Sequence, residues 1–160
     1  MPIEKYSFDF EIYNSINELS SADAALLQLA QKAAENAYAP YSNFHVGAAA
    51  LLNNGETLTG SNQENASYPV GTCAERVLLG TIATMFPNIP LQTMAISYYN
   101  DKGKSNHPIS PCGMCRQYIL EYERRMQQPI RLILGGKEGK IYIIKSASEL
   151  LPLNFSSEDF

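Results

Sequence analysis

The sequence predicts an α/β domain in which helices pack on a sheet of about five strands. Short segments with strand-like apolar patterns recur along the chain, and segments with helical spacing of apolar residues separate them. Gly, Pro and Asn residues mark the turns between these segments. Neither an internal repeat nor a linker-like composition divides the chain, so we expect one domain over residues 1–160, with an N-terminal extension at 1–20.

The first half of the chain contains patterns for an N-terminal strand, a helix and a hairpin. Apolar and polar residues alternate over 6–12, which predicts an accessory strand with one buried face. Ser20 or Ser21 is suited to cap a helix that continues to about Tyr38. The segment 44–60 carries Asn-Asn-Gly between two strand patterns and therefore predicts a β-hairpin.

The second half of the chain alternates helix and strand patterns. Helical spacing of apolar residues covers about 72–85 and 113–126, and the polar segment 101–110 between them predicts a loop. Strand patterns occupy three further segments: 92–99, 130–134 and 140–144. Ser146 and Glu149 have the spacing of a capping box, which predicts a short helix near the C-terminus.

The composition excludes several classes of partner. The formal net charge is -4 and the pI is about 5.2, whereas proteins that bind a phosphate backbone cluster Lys and Arg, so we expect no nucleic-acid partner. No apolar stretch reaches the length of a membrane span, and no signal peptide is visible. We therefore expect a cytoplasmic protein with no membrane partner. Its three cysteines cannot pair completely and would stay available as thiols in that reducing compartment.

Three cysteines at two predicted helix starts form the strongest chemical pattern. Cys112 and Cys115 have the two-residue gap that lets both sulfurs reach one metal ion. The same motif also fits a thiol redox site or two unrelated buried thiols. Cys73 lies at another predicted helix start, and two facing helix N-termini would join three thiolates to two positive dipole ends. Three protein ligands are typical of a catalytic zinc site, because a structural site has four.

Glu75 is the candidate proton carrier. It follows Cys73 by two residues, so its carboxylate can lie beside a metal ion without binding it. An acidic residue there is also explained by its favourable interaction with a helix N-terminus, but the neighbouring cysteines favour catalysis. His45 lies in a strand pattern and His107 in the polar loop, and we expect neither to be a metal ligand.

The cysteines lie in two ordered motifs, Cys73-Ala-Glu-Arg76 and Pro111-Cys-Gly-Met-Cys-Arg-Gln117. These motifs resemble the three-cysteine branch of the cytidine deaminase family. Further stretches agree with that family at 38–44, 46–49, 62–66 and 155–159. The resemblance therefore extends from about Ala33 to the C-terminus.

This resemblance implies hydrolytic deamination of cytidine or deoxycytidine to uridine or deoxyuridine, with release of ammonia. It also implies a three-layer α/β/α domain with a mixed sheet, and one Zn²⁺ per chain held by Cys73, Cys112 and Cys115. Glu75 would take a proton from a zinc-activated water, pass it to N3 of the pyrimidine and then assist the departing amine.

The resemblance further implies which residues contact the nucleoside. Asn62 and Glu64 would bind the ribose 3′-hydroxyl, Phe44 would pack on the nucleoside, and the Ala74 backbone would read the base. From the residues alone, Asn62 and Glu64 are loop polar residues after a strand and Phe44 is a core strand residue. These simpler interpretations stay open at this point.

The resemblance also implies a homotetramer, because members of this family with a similar chain length form homotetramers whose active sites are shared between subunits. Phe155 would then stack on the base of an adjacent chain, and Tyr68 would also reach across. The alternative for Phe155 is that it anchors the C-terminal tail to its own core.

Arg76 and Arg116 each follow a metal ligand directly. Three thiolates exceed the charge of Zn²⁺ by one, which opposes the ionisation of water. We therefore expect both arginines to donate hydrogen bonds to the sulfurs and so draw charge from the metal. Ordinary surface arginines are the alternative.

Four other functions stay open on the sequence. They are a nucleic-acid editing deaminase, which the acidic charge balance opposes, a deaminase of another small aminated heterocycle, a non-catalytic zinc module and a thioredoxin-like redox protein. Met114 and Gln63 also depart from the family pattern, where a small and an aliphatic residue are usual, and the 101–110 loop is longer than usual. These departures concern the shape of the pocket.

Overall fold

The described residues of the protein fold into six strands and three α-helices in a computed structural model. The structure describes residues 1–159, without the side chain of Glu158, and Phe160 of the predicted domain lies outside the described residues. The strands are β1 (Phe10–Tyr13), β2 (Phe44–Leu52), β3 (Thr57–Ser61), β4 (Leu91–Asn100), β5 (Arg131–Gly135) and β6 (Ile141–Ile144). The helices are α1 (Ser21–Ala34), α2 (Ala74–Met85) and α3 (Gly113–Met126).

All six strands join one mixed sheet in the order β1-β6-β5-β4-β2-β3. The pair β4 and β5 is parallel, and α3 lies in the connection between these two strands. The other four pairs are antiparallel, including the predicted hairpin of β2 and β3. The predicted mixed sheet of about five strands with an accessory N-terminal strand is thus confirmed.

Helices cover both faces of the sheet and give it three layers. One face packs against α1 through a core that includes Leu27, Ala30 and Ile133. The other face packs against α2 and α3 through a larger core that includes Leu78 and Ile119. None of the helices in the described part of the chain is long and apolar enough to cross a membrane.

The helix that carries the first metal-binding motif approaches the sheet closely at Gly60 in β3. A Cβ atom on Gly60 would lie 2.7 Å from the Ala74 carbonyl oxygen and 2.7 Å from the Leu78 amide nitrogen. Any larger residue at this position would push the first turn of α2 away from the sheet. Gly60 therefore determines where the N-terminus of α2, and with it Cys73 and Glu75, can lie.

The N-terminal strand differs from its prediction in length and in burial. It begins at Phe10 instead of residue 6, and Phe10 and Ile12 stay 43 % and 55 % exposed. The expectation of a buried face is wrong, because β1 is the outermost strand of the sheet. The ring of Phe10 instead packs against that of Tyr142, with 4.9 Å between ring centroids.

Two helix ends also differ from the sequence patterns. Ser20 caps α1 as predicted, accepting a hydrogen bond from the Asp23 amide, but the helix ends at Ala34 and not near Tyr38. The Tyr38 amide donates to the Asn62 carbonyl instead, which draws the chain towards the sheet. The predicted capping box at Ser146 is wrong: a 3₁₀ helix forms at Ala147–Leu150, and the Ser146 hydroxyl donates to Glu123.

Glu123 is a buried carboxylate that joins the end of α3 to two other segments. One oxygen accepts hydrogen bonds from the Ile130 amide at 2.7 Å, the Ala147 amide at 2.9 Å and the Ser146 hydroxyl at 2.9 Å. The other oxygen accepts from the Ser148 amide at 3.0 Å. Four donors converge on this side chain, so it needs two acceptor oxygens.

Glu123→Gln is therefore expected to destabilise the protein by about 2 to 4 kcal/mol, because it places an amide NH₂ against a backbone N–H and removes the charge that strengthens the other hydrogen bonds. Urea unfolding at a fixed protein concentration measures the change. Glu121→Gln, on the exposed side of the same helix, is the matched control and should change stability by less than about 0.5 kcal/mol. Equal stability of the two variants would contradict the role given to Glu123.

Candidate active site

Three cysteine sulfurs meet where the N-termini of α2 and α3 face each other. Cys73 is the N-cap residue of α2, Cys112 is the N-cap residue of α3, and Cys115 lies in the first turn of α3. The Sγ atoms of Cys73 and Cys112 are 3.8 Å apart, and those of Cys112 and Cys115 are 3.5 Å apart. All three sulfurs lie within 4.8 Å of one another, which makes them the candidate metal-binding group among residues 1–159.

This donor set fits zinc. A tetrahedral ion with Zn–S bonds of about 2.3 Å requires sulfurs roughly 3.8 Å apart, close to the separations that the structure shows. Two helix N-termini also direct partial positive charge towards the thiolates. Among the described residues, the group contains the three cysteines and neither His45 nor His107.

Hydrogen bonds between the cysteine side chains shift the pKa values of two of them in opposite directions. A hydrogen bond from Cys115 is the main cause that lowers the pKa of Cys73 to about 6, with the charge of Arg76 contributing. The same hydrogen bond, together with burial, raises the pKa of Cys115. A metal ion that displaces these protons binds with release of protons to solvent.

Glu75 lies in the first turn of α2 and is only 4 % exposed. Burial is the main cause that raises the pKa of its carboxyl group, and the charge of Cys73 raises it further. A hydrogen bond from Cys115 acts in the opposite direction. A carboxyl group that is buried beside the sulfurs and has a raised pKa is suited to hold a proton and pass it on.

A cavity of about 400 Å³ opens beside the sulfurs. The predicted site residues that line it are Phe44, Asn62, Glu64, Cys73, Ala74, Glu75 and Cys112. Four residues that were not predicted from the sequence line it as well: Ser42, Val46, Ile109 and Ser110. Their proximity in sequence to Phe44 and to Cys112 was the signal that could have identified them.

Asn62 and Glu64 are held by the backbone at the edge of this cavity. The Asn62 side chain accepts from the Val46 amide at 2.7 Å and donates to the Phe44 carbonyl at 3.0 Å, so β2 fixes its orientation. Glu64 accepts from the Tyr41 amide at 2.9 Å and from the Ser42 hydroxyl. Burial alone raises the pKa of Glu64, but these hydrogen bonds outweigh it and lower the pKa below its usual range.

Tyr68 and Phe155 do not line the cavity of their own chain. Tyr68 is 76 % exposed and packs edge-on against Tyr41, with ring centroids 6.0 Å apart. Phe155 is 64 % exposed, and its carbonyl accepts a hydrogen bond from Gln117. Tyr68 instead lines a second cavity of about 360 Å³ that it shares with Glu64, one of the predicted site residues, whereas Phe155 lines neither of these two cavities.

The two arginines that follow metal ligands have different surroundings. Arg76 lies near Cys73 and lowers its pKa by its charge. Arg116 donates through Nε to the Pro111 carbonyl at 2.8 Å and through Nη1 to the Leu150 carbonyl at 3.0 Å. Arg116 thus fixes the segment just before Cys112, and the predicted hydrogen bonds to sulfur stay a prediction.

Known proteins are similar to this chain in sequence and in fold. Residues 20–128 match the family described as "Cytidine and deoxycytidylate deaminase zinc-binding region". A cytidine deaminase of Halalkalibacterium halodurans is 39 % identical over 134 residues, which cover 84 % of this chain and 94 % of that protein. The cytidine deaminase of Sporosarcina psychrophila is 34 % identical over 134 residues, covering 84 % and 91 %.

A solved structure agrees with these sequence relatives. The crystal structure of cytidine deaminase from Burkholderia pseudomallei has a TM-score of 0.72 and 36 % sequence identity, covering 86 % of this chain and 100 % of that one. The three sulfurs and the buried Glu75 lie within the matched zinc-binding region. The chain therefore belongs to the zinc-dependent cytidine and deoxycytidylate deaminase family.

Proposed function

We propose that the protein is a zinc-dependent cytidine deaminase, which converts cytidine or deoxycytidine and water to uridine or deoxyuridine and ammonia. The observation that carries this proposal is the meeting of three sulfurs with one buried carboxylate at the wall of a 400 Å³ cavity. A redox pair needs two sulfurs and no third, whereas Cys73 completes a zinc-binding set. A structural zinc site would supply four ligands and needs no buried carboxylate beside them.

The reaction forms a C4–O bond and breaks the C4–N bond of the pyrimidine. Zinc held by the three cysteines supplies Lewis acidity, which lowers the pKa of water to about 7. Glu75 accepts the proton that the attacking water loses and delivers it to N3. The same carboxylate then takes the second water proton from the oxygen now bonded to C4 and passes it to the amino group, which leaves as ammonia while the C4 oxygen becomes the carbonyl of the product.

The remaining cavity residues support binding of a nucleoside. Asn62 uses one N–H and one oxygen lone pair for the backbone, so its amide keeps capacity for a sugar hydroxyl. Glu64 is a charged acceptor at the same edge. Phe44 offers a ring to the nucleoside, and Ala74 begins α2, where backbone N–H groups have no partner within the helix. A free base would leave the sugar-binding groups unpaired, which disfavours cytosine.

In this proposal, Arg76 and Arg116 draw negative charge away from the thiolates. The effect of Arg76 on the pKa of Cys73 supports its part. Arg116 donates hydrogen bonds to the carbonyls of Pro111 and Leu150. These bonds support a role in positioning Cys112, because they hold the backbone at Pro111 next to it.

The proposal includes a cytoplasmic homotetramer with shared active sites. The exposed side chains of Tyr68 and Phe155 support it, because both present aromatic surface outside the cavity of their own chain. Light scattering on the purified protein should give the mass of four chains. A monomeric mass together with full activity would contradict the sharing of sites.

Ultraviolet absorbance tests the proposed reaction directly. Zinc-loaded protein should convert cytidine and deoxycytidine, and kcat/KM for free cytosine should be lower by at least about 100-fold. A strong zinc chelator should abolish turnover, and added Zn²⁺ should restore it. Turnover that survives complete removal of zinc, or a preference for cytosine, would contradict the proposed function.

A further inference from the structure

The loop at 101–110 has a polar sequence, but it packs closely against the rest of the protein. Asp101 accepts a hydrogen bond from the His45 ring at 3.1 Å. A Cβ atom on Gly136 would lie 2.3 Å from the Ser105 carbonyl oxygen. On Gly139 it would lie 2.1 Å from the Asn106 carbonyl oxygen. The loop therefore rests directly on the turn between β5 and β6, and two glycines make that contact feasible.

The loop is also attached to the sheet by a hydrogen bond between His107 and Tyr98. The Tyr98 hydroxyl lies 3.1 Å from Nδ1 and 3.3 Å from Nε2 of His107. The two rings meet edge to face, with centroids 5.6 Å apart. Tyr98 is 2 % exposed, so its hydroxyl is a buried polar group for which this partner matters.

The ring of Tyr98 is stacked on the ring of Phe44. Their centroids are 4.8 Å apart and their planes differ by 23°. Phe44 lines the cavity beside the three sulfurs, and so do Ile109 and Ser110, which follow His107 by two and three residues. The hydrogen bond between Tyr98 and His107 thus connects two walls of the cavity. Phe44 of β2 forms one wall, and the loop forms the other.

We infer that Tyr98 and His107 are positioning residues for substrate: their hydrogen bond fixes the Phe44 ring and the Ile109–Ser110 wall at the separation that a pyrimidine nucleoside requires. This inference rests on the proposed function and adds to it two residues outside the cavity lining and the metal-binding group. Because neither residue reaches the reacting atoms, its loss should weaken nucleoside binding and leave proton transfer intact.

Tyr98→Phe removes the hydroxyl and keeps the ring that stacks on Phe44. The variant should raise KM for cytidine by about three- to tenfold, the effect of one lost partly buried hydrogen bond, with kcat within about twofold of the wild type. Calorimetry with uridine should show the same loss of affinity, and the zinc content should be unchanged. His107→Ala removes the ring but keeps the His107 backbone, which also hydrogen-bonds the Tyr98 hydroxyl, so its effect should have the same direction and be no larger. The double variant should add little to Tyr98→Phe.

Tyr99→Phe is the matched control. Tyr99 is the next residue of β4, where its ring stacks on His45 with 4.5 Å between centroids. The same chemical change at this position should leave KM and uridine affinity at wild-type values. His107→Gln, which keeps a hydrogen-bonding group near Tyr98, should recover part of the affinity that His107→Ala loses.

The outcomes separate this inference from the proposed function. An active wild type whose Tyr98→Phe variant keeps its KM and its uridine affinity overturns the inference alone, as does an equal loss in Tyr99→Phe. A fall in kcat with unchanged KM also overturns it. A zinc-loaded wild type that neither converts cytidine nor binds uridine overturns the proposed function and, with it, this inference.

Discussion

Replacement of Glu75 by Gln is expected to lower kcat for cytidine by about 10³- to 10⁴-fold, near the upper range for a single acid–base group. The magnitude follows from the number of transfers that depend on one carboxyl group, because Glu75 serves water, N3 and the amino group in turn. Gln is nearly isosteric, so the cavity and the three sulfurs should keep their geometry. Stopped assays over hours measure the remaining rate, and metal analysis should still find about one zinc per chain.

Glu75→Asp distinguishes loss of the proton carrier from loss of the pocket. Asp retains a carboxyl group but moves it back by one methylene, and a displacement of that size costs about 100-fold in rate. Both variants should bind uridine nearly as well as the wild type. A Glu75→Gln enzyme with wild-type kcat and full zinc content would remove Glu75 from the mechanism.

Cys115→Ala should abolish both zinc binding and turnover. Cys115 is fully buried and close to the other two sulfurs, so its loss leaves two ligands and a small cavity. Zinc that binds only the folded state also stabilises it. The variant should therefore unfold at a lower temperature than the wild type, and at nearly the same temperature with and without a chelator. Metal analysis and thermal scans measure both effects.

Met114→Ala is the control for this experiment. Met114 lies between two ligands in the same helical turn, yet its side chain is exposed. Its truncation should leave the zinc content and the response to chelator unchanged. A Cys115→Ala protein that retains stoichiometric zinc would exclude Cys115 as a ligand.

The metal-binding motifs were predictable because their geometry is local. Cys112 and Cys115 are joined by one helical turn, so their spacing alone brings the sulfurs together. The hairpin of β2 and β3 is local in the same sense, and its Asn-Asn-Gly turn places Gly55 at a positive φ of 86°. The position of Cys73 beside them depended on the resemblance and on the expected facing of two helices.

The features that could not be predicted from the sequence depend on contacts between distant segments. Ser146 has capping-box spacing, but its hydroxyl donates to the carboxylate of Glu123, on another helix, and does not accept from a backbone amide of the 3₁₀ helix. The contact between His107 and Tyr98 depends on how the polar loop folds back, which no periodicity reports. The exposure of β1 likewise follows from its place in the strand order, which local patterns do not determine.

The pairing of β1 with β6 decides which strand forms the outer rim of the sheet. β6 has the sequence Ile-Tyr-Ile-Ile, an uncharged β-forming segment of the kind that promotes aggregation when its backbone is open to other chains. β1 covers that backbone and carries Glu11 at the rim instead. A short edge strand that carries a charged residue is a poorer template for the addition of another strand than β6 would be.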